Sequence, residues 1–133
     1  MTDKTRLVGI VAAVMAFLAL SAGSAQGGTI TVGPGGGYDF TSIQAAIDAA
    51  GTGDTVIVYP HTYYENIYFL GKAITVKSIN PQDPNIVAGT VIDAGGSGSA
   101  VTFENGEGPD AVITGFTITG GLGTYDNRVS VAS

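Results

Sequence analysis

The stretch "VYPHTYYENIYF", residues 58–69, holds the side chains best suited to acid–base chemistry in this sequence. His61, the only histidine, stands four residues before Glu65, so an imidazole and a carboxylate share one short segment. A covalent mechanism would also need an activated serine or cysteine close by, and the stretch contains neither. Its pattern is typical of a corner between two strands. We therefore interpret His61 as a corner residue and assign no catalytic residue.

Tyrosines in the same stretch suit a different chemistry, the binding of sugars. Tyr63, Tyr64 and Tyr68 each offer an apolar ring face with a hydroxyl at its edge, and Tyr125 offers another ring further along. The alternative is structural, because two of the first three can instead pack inside the fold with their hydroxyls bonded. The candidate sugar contacts are Tyr63, Tyr64 and Tyr68.

The remaining carboxylates do not form a recognisable hydrolytic pair. Glycoside hydrolysis needs two acids held at a fixed separation across a cleft. Asp93 and Glu104 each close a predicted strand, whereas Asp110 and Asp126 stand in predicted turns. This placement favours solvated turn acids over a catalytic pair.

Metal and cofactor sites have few candidate ligands. The chain has no cysteine, one histidine and two methionines, Met1 and Met15, so a soft metal such as copper has almost no donors. Calcium at Asp83, Asp110 or Asp126 stays open, although their spacing matches no calcium loop. No metal or cofactor is expected.

Charge and cysteine content exclude whole classes of partner. Five Lys and Arg residues stand against eleven Asp and Glu residues, which gives a formal net charge of −6. Such a chain repels nucleic acid phosphates and anionic lipid surfaces, so neither is an expected partner. Without cysteine the fold has no disulfides and depends on packing and backbone pairing. Polysaccharide is the partner that the tyrosines favour.

The first residues have the pattern of a secretory signal peptide. Lys4 and Arg6 precede an apolar run from Leu7 to Leu20, and small residues follow up to Ala25, the expected cleavage point. A helix over that run would reach about 21 Å, short of the roughly 30 Å hydrocarbon core, so a membrane anchor is the weaker alternative. The sequence predicts a secreted, periplasmic or cell-surface protein that leaves the membrane after cleavage.

Short β-branched segments separated by glycine dominate the rest of the sequence. The chain has 21 glycines among its 133 residues, against a usual share of about 7%, and this pattern predicts an all-β protein with many tight turns. The first strand is expected at residues 29–32. One helix is predicted in "TSIQAAIDAAGTGD", with Thr41 and Gln44 as a capping box and Gly51 as a left-handed stop. Its apolar stripe consists of Ile43, Ala46, Ile47 and Ala50.

The later strands recur at intervals of roughly 20–25 residues, which is typical of a solenoid. Coils of such a fold stack in parallel, and a helix laid over the first coil would cover its open edge. The insertion "NPQDPN", residues 80–85, carries two prolines and is expected to be a loop. The first apolar residues of the strands give two series: Val56, Ile74, Val101 and Ile67, Val91, Phe116.

The segment "FTSIQAAIDAAGTGDTVIVYPHTYYENIYFLGKAITVKS" resembles the N-terminal cap and first coils of right-handed parallel β-helix proteins of the pectin lyase-like superfamily. In this resemblance "SIQAAIDAA" is the capping helix, "GDTVIV" the first strand and "KAITVKS" the next coil. "VIDAGGSGSAVTFENGEGPDAVITGFTITGG" resembles two further coils. The implied organisation is a signal peptide (1–25), a strand and capping helix (26–54), about three coils (55–121) and an irregular tail (122–133).

The resemblance leaves two functions open, because the superfamily includes pectate lyases, pectinesterases and polygalacturonases as well as surface proteins and phage tail spikes. The first is an exported structural or polysaccharide-binding module without its own catalytic site. The alternative is a fragment of a carbohydrate-active enzyme: a polysaccharide lyase, a pectinesterase or a glycoside hydrolase. Aligned acids and a central arginine would favour the enzyme, but Arg128 is the only arginine after Arg6.

Two features depart from that family pattern. Relatives usually carry glycine where this chain has His61, so His61 is expected to occupy a turn that favours positive φ. A second cap is also missing from the sequence after the coil that contains Phe116 and Ile118. We therefore expect the N-terminal part of a longer β-helix, with further coils or self-association at its uncapped C-terminal end.

Overall fold

The computed structural model describes residues 27–122, which form nine short β-strands and two short α-helices. The predicted signal peptide and most of the predicted tail, with Tyr125, Asp126 and Arg128, lie outside these residues. In chain order the elements are β1 (Thr29–Val32), α1 (Ile43–Ala49), β2 (Thr55–Val58), β3 (His61–Tyr63), β4 (Ile67–Tyr68), β5 (Thr75–Ser78), α2 (Pro84–Gly89), β6 (Thr90–Asp93), β7 (Val101–Thr102), β8 (Val112–Thr114) and β9 (Thr117–Thr119).

The strands lie in three parallel sheets. Sheet A has the order β1-β2-β5-β8, sheet B the order β3-β6-β9, and sheet C pairs β4 with β7. The first winding (β2, β3, β4) gives one strand to each sheet, and the second winding (β5, β6, β7) pairs with it in parallel. The third winding adds β8 and β9. The fold is therefore all-β with parallel sheets, an arrangement compatible with a β-helix-like solenoid.

The core lies between the three sheets. Successive side chains of a strand point to opposite faces, and in β2 the inward Val56 and Val58 are fully buried while Thr55 and Ile57 are half-buried. Stacked windings place like residues on each other, as where Val56 lies opposite Val76. The buried apolar residues are Val32, Ile43, Ala46, Ile47, Ala50, Val56, Val58, Tyr63, Ile67, Phe69, Ile74, Val76, Ile92, Ala94 and Ala100.

Helix α1 lies across the start of this core. It contacts β1, β2 and β4, and its Ile43, Ala46 and Ile47 are fully buried. A seven-residue helix is too short to be stable by itself in water. Packing must therefore stabilise it, and each buried isoleucine contributes roughly 1.5–3 kcal/mol.

The register of the windings differs from the predicted series. Val101 belongs to sheet C, where it lies opposite Ile67, rather than following Val56 and Ile74 in sheet A. The sheet A ladder instead runs from Val56 through Val76 to Ile113. The windings differ in length because their corners differ, so a single period read from apolar residues assigns strands to the wrong sheet.

Local details of the two helices also differ from prediction. The N-cap of α1 is Ser42 rather than Thr41, and its hydroxyl accepts the Ala45 N–H. The helix ends at Ala50 in extended backbone, so Gly51 supplies no left-handed stop. The insertion is partly helical, because Pro84 fits the first turn of a helix that Asp83 caps.

His61 does not occupy a left-handed turn. It is the exposed first residue of β3 and lies opposite Thr90 of β6. Leu70 is the non-glycine residue with positive φ (61°) within residues 27–122. A β-strand accepts histidine without strain, so no glycine is needed at this position.

The last strands of sheets B and C are open on one side among the described residues. Ile118 of β9 lies opposite the fully buried Ile92 of β6, yet it is 48% exposed. Phe103, which stacks on the buried Phe69 with ring centroids 4.4 Å apart, is also exposed.

Neither helix within residues 27–122 is long and apolar enough to cross a membrane.

Candidate functional site

The N-terminus of α1 is held by a carboxylate from the first winding. Glu65, between β3 and β4, accepts hydrogen bonds from Ser42 Oγ, from the Ile43 N–H and from the Gln44 N–H, each at 2.9 Å. These backbone groups have no partner within the helix, and a negative charge there also meets the positive end of the helix dipole. Glu65 is therefore committed to helix capping, which removes it from the acid–base pair considered with His61.

The other end of α1 is held by a cation. Lys72 Nζ donates to the carbonyl oxygens of Ile47 (2.6 Å), Asp48 (2.9 Å) and Ala50 (2.8 Å). An ammonium group has three N–H donors, so all of them are used. The last carbonyls of a helix carry partial negative charge, and Lys72 therefore complements Glu65 at the opposite end.

Gln44 joins α1 to the edge of sheet C. Its Oε1 accepts the Tyr68 N–H at 2.8 Å, and its Nε2 donates to the Tyr68 carbonyl oxygen at 3.1 Å. One side-chain amide thus replaces the missing neighbouring strand of β4, whose other edge pairs with β7. The backbone of Tyr68 is fixed from both sides.

Two of the three candidate tyrosines are on the surface. Tyr64 is 77% exposed and Tyr68 is 42% exposed. Tyr64 stands between the buried Tyr63 and the clamped Glu65, and Tyr68 stands between the buried Ile67 and Phe69. Both rings therefore project from backbone that is anchored on either side, which lowers the entropy lost when a ligand binds.

Tyr63 is placed differently from its neighbour. Its ring is buried and its hydroxyl donates to the Tyr59 carbonyl oxygen at 2.7 Å. Burial raises the pKa of Tyr63 to about 12, and the charges of Tyr38 and Glu65 act in the same direction. Its ring packs in the core with its hydroxyl bonded, and His61 meets it edge-on with ring centroids 5.2 Å apart.

Most described carboxylates accept backbone N–H groups at corners. Glu107 shows the pattern: burial opposes its ionisation, but the N–H groups of Gly71 and Asn105 keep its pKa below the usual range. The Thr31 N–H and hydroxyl likewise lower the pKa of Asp39, which covers the outer edge of β1. Other carboxylates that accept backbone N–H groups are Asp54, Asp83 and Asp93.

Asp83 and Asp110, the described carboxylates considered for calcium, belong to no metal-binding group, and Asp126 lies outside the described residues. Within the described range, no group of three or more His, Cys, Asp and Glu side chains is arranged to hold a metal ion. Asp83 caps α2 and Asp93 binds the Gly95 N–H. Asp110 lies in an open depression of about 340 Å³ at the start of sheet A, beside Asp54, whose two oxygens accept the Gly28 and Gly51 N–H groups.

Comparisons of the chain with protein-family models, with curated proteins and with solved structures returned no match. Among the described residues, the exposed tyrosines beside α1 are the most suggestive of a function.

Sequence reasoning missed the residues that build this region. The capping-box prediction for Gln44 is wrong, because its side chain pairs with the backbone of Tyr68. Glu65 and Lys72 lie 21 or more residues from their partners in α1, so no local spacing could reveal them. One sequence signal does indicate which rings face outward. Residues 63 and 67 are buried and residues 64 and 68 are exposed, so odd and even positions face opposite sides.

Proposed function

We propose that this chain is an exported β-helix module that binds polysaccharide through Tyr64 and Tyr68. The observation that carries the proposal is that both rings are exposed while their backbone is fixed by Glu65 and Gln44. Tyrosine gives a large apolar face and a polar hydroxyl at small conformational cost, which suits the faces and hydroxyls of sugars. The predicted signal peptide supports export.

A solenoid supports this role because it gives a long outer surface on which a polymer can lie. We propose that the windings are right-handed, as in the pectin lyase-like superfamily that the sequence resembles. The general rule for parallel strands supports this, since connections between parallel strands of one sheet are right-handed in about 98% of cases. The exposed Ile118 and Phe103 support a further proposal, that additional coils continue the stack there.

The use of carboxylates as backbone caps supports a binding role over the enzyme alternative. Glu65, Asp39 and Asp54 each accept two or more hydrogen bonds that hold α1 or β1 in place. A general acid or base must instead be free to exchange a proton with substrate. These residues therefore act in the scaffold that presents the tyrosines.

Affinity electrophoresis of the full chain through gels that contain soluble polysaccharides tests this function. We expect retardation in at least one gel, with Tyr64→Ala and Tyr68→Ala each weakening binding roughly tenfold, as loss of an aromatic contact of about 1.4 kcal/mol would.

The matched controls are Leu122→Ala, which removes another exposed apolar side chain, and Tyr63→Phe, which removes a buried hydroxyl. Both should be retarded like the unmodified chain. Equal retardation of Tyr64→Ala, Tyr68→Ala and Leu122→Ala would show that the tyrosines are not the binding site.

A further inference from the structure

Two carboxylates lie near the backbone around the exposed Tyr68. Gln44 Nε2 donates both to Asp48 Oδ1 (3.0 Å) and to the Tyr68 carbonyl oxygen (3.1 Å), which places the exposed carboxylate of Asp48 beside Tyr68. Glu107 Oε1 accepts the N–H of Gly71, three residues after Tyr68. Asp48 therefore brings a negative charge to the β4 edge, and Glu107 adds a second one at the turn that follows β4.

No cation in the described residues is available to offset these charges at the tyrosines. Lys72 and Lys77 are the only Lys or Arg residues within 27–122. The ammonium of Lys72 already donates to three carbonyl oxygens of α1, so it has no donor left for a ligand carboxylate. Lys77 lies in β5 of sheet A, whereas Tyr68 lies in β4 of sheet C.

We propose that the Tyr64 and Tyr68 surface binds a neutral glycan and rejects uronate chains such as polygalacturonate. This inference rests on the proposed function, and it sets the chain apart from the anionic pectins that its sequence resemblance suggests. A neutral hexose can stack on the rings and bond through its hydroxyls without meeting a like charge. A uronate brings one carboxylate per sugar towards Asp48 and Glu107, and like-charge contacts weaken a complex.

The test measures dissociation constants of the full chain by calorimetry for two probes of equal length, a neutral hexose oligosaccharide and an oligogalacturonate, at low salt and without calcium. We expect the neutral probe to bind about tenfold or more tightly. Added salt should narrow that ratio, because it screens the repulsion between exposed charges.

Two variants connect the preference to named residues. Asp48→Asn removes the negative charge while an amide oxygen still accepts from Gln44, so uronate affinity should rise relative to neutral affinity. Asp110→Asn removes the same charge from the depression at the start of sheet A and should leave the ratio unchanged. Tyr68→Ala should weaken whichever probe binds.

The outcomes separate the two proposals. Tighter binding of the uronate, still dependent on Tyr68, would overturn the neutral-glycan inference while polysaccharide binding itself stands. An equal effect of Asp48→Asn and Asp110→Asn would overturn the assignment of the preference to this surface. Failure of both probes to bind, together with no retardation in any polysaccharide gel, would overturn the proposed function as well.

Discussion

Neighbouring tyrosines of this chain have different roles because alternate residues of an extended segment face opposite sides. Tyr63 points into the core and donates to Tyr59, whereas Tyr64 points to solvent. The buried phenol is costly to ionise, since burial penalises the charged form. Its raised pKa of about 12 is a property that can be measured directly.

A spectrophotometric titration should therefore resolve a tyrosine that ionises near pH 12, and Tyr63→Phe should remove that component. Because the folded-state pKa lies above the unfolded value of about 10, burial of the neutral phenol stabilises the fold fully below about pH 10. That contribution is lost as the pH rises towards 12. Tyr64→Phe is the control. Persistence of the component near pH 12 in Tyr63→Phe would contradict the assignment.

At the scale of elements, α1 is a short helix fixed by long-range contacts. Glu65 holds its first turn, Lys72 its last turn and Gln44 connects its surface to β4. Its buried face closes the start of the core, and its Gln44 side chain occupies the edge of β4 that would otherwise be open to another chain. The stability of α1 should therefore depend on residues outside the helix.

We expect Glu65→Gln to lower the free energy of unfolding by about 1.5–3 kcal/mol, the typical value of a hydrogen bond to a charged group. Glutamine has one acceptor oxygen, and its NH₂ group would face the N–H donors of α1. Chemical denaturation of the full chain measures the change. Asp48→Asn, on the exposed side of the same helix, is the control and should stay within about 0.5 kcal/mol of the unmodified chain. Equal free energies of unfolding for the two variants would contradict the role of Glu65 in capping α1.

At the scale of the whole described fold, carboxylates at the corners accept backbone N–H groups from other segments and so hold those segments together. Asp39 and Glu107 have pKa values below the usual range because N–H groups donate to their ionised forms. Unfolding returns both groups to ordinary pKa values of about 4, so the unfolded chain binds more protons at low pH. The stability that they contribute is present above about pH 4 and is lost as the pH falls through their lower folded-state pKa values.

The chain should therefore keep the contribution of these two groups between pH 7 and 5 and lose it below about pH 4. Urea denaturation at a series of pH values measures how far the free energy of unfolding falls at low pH. This fall should be smaller in the Asp39→Asn, Glu107→Gln double variant. Asp110→Asn provides the comparison, since Asp110 is an exposed carboxylate at the depression by sheet A. An equal loss of unfolding free energy at low pH in the double variant and the unmodified chain would contradict the role of these carboxylates.

The sequence by itself determined the kinds of element and several of their positions. The β-branched runs between glycines predicted an all-β fold, the bounds of β1 were predicted correctly, and the apolar stripe identified α1. These features depend on residues a few positions apart, so local patterns contain them.

Only the tertiary structure decided register and the use of each polar side chain. Val101 pairs with Ile67 because the second winding is lengthened by α2, a difference that a single repeat length cannot express. Glu65 became a helix cap because the fold brings α1, more than twenty residues earlier in the chain, beside it, and Tyr63 became a core residue because the windings pack around it. Such contacts arise when windings stack, and local sequence spacing does not encode which groups will then meet.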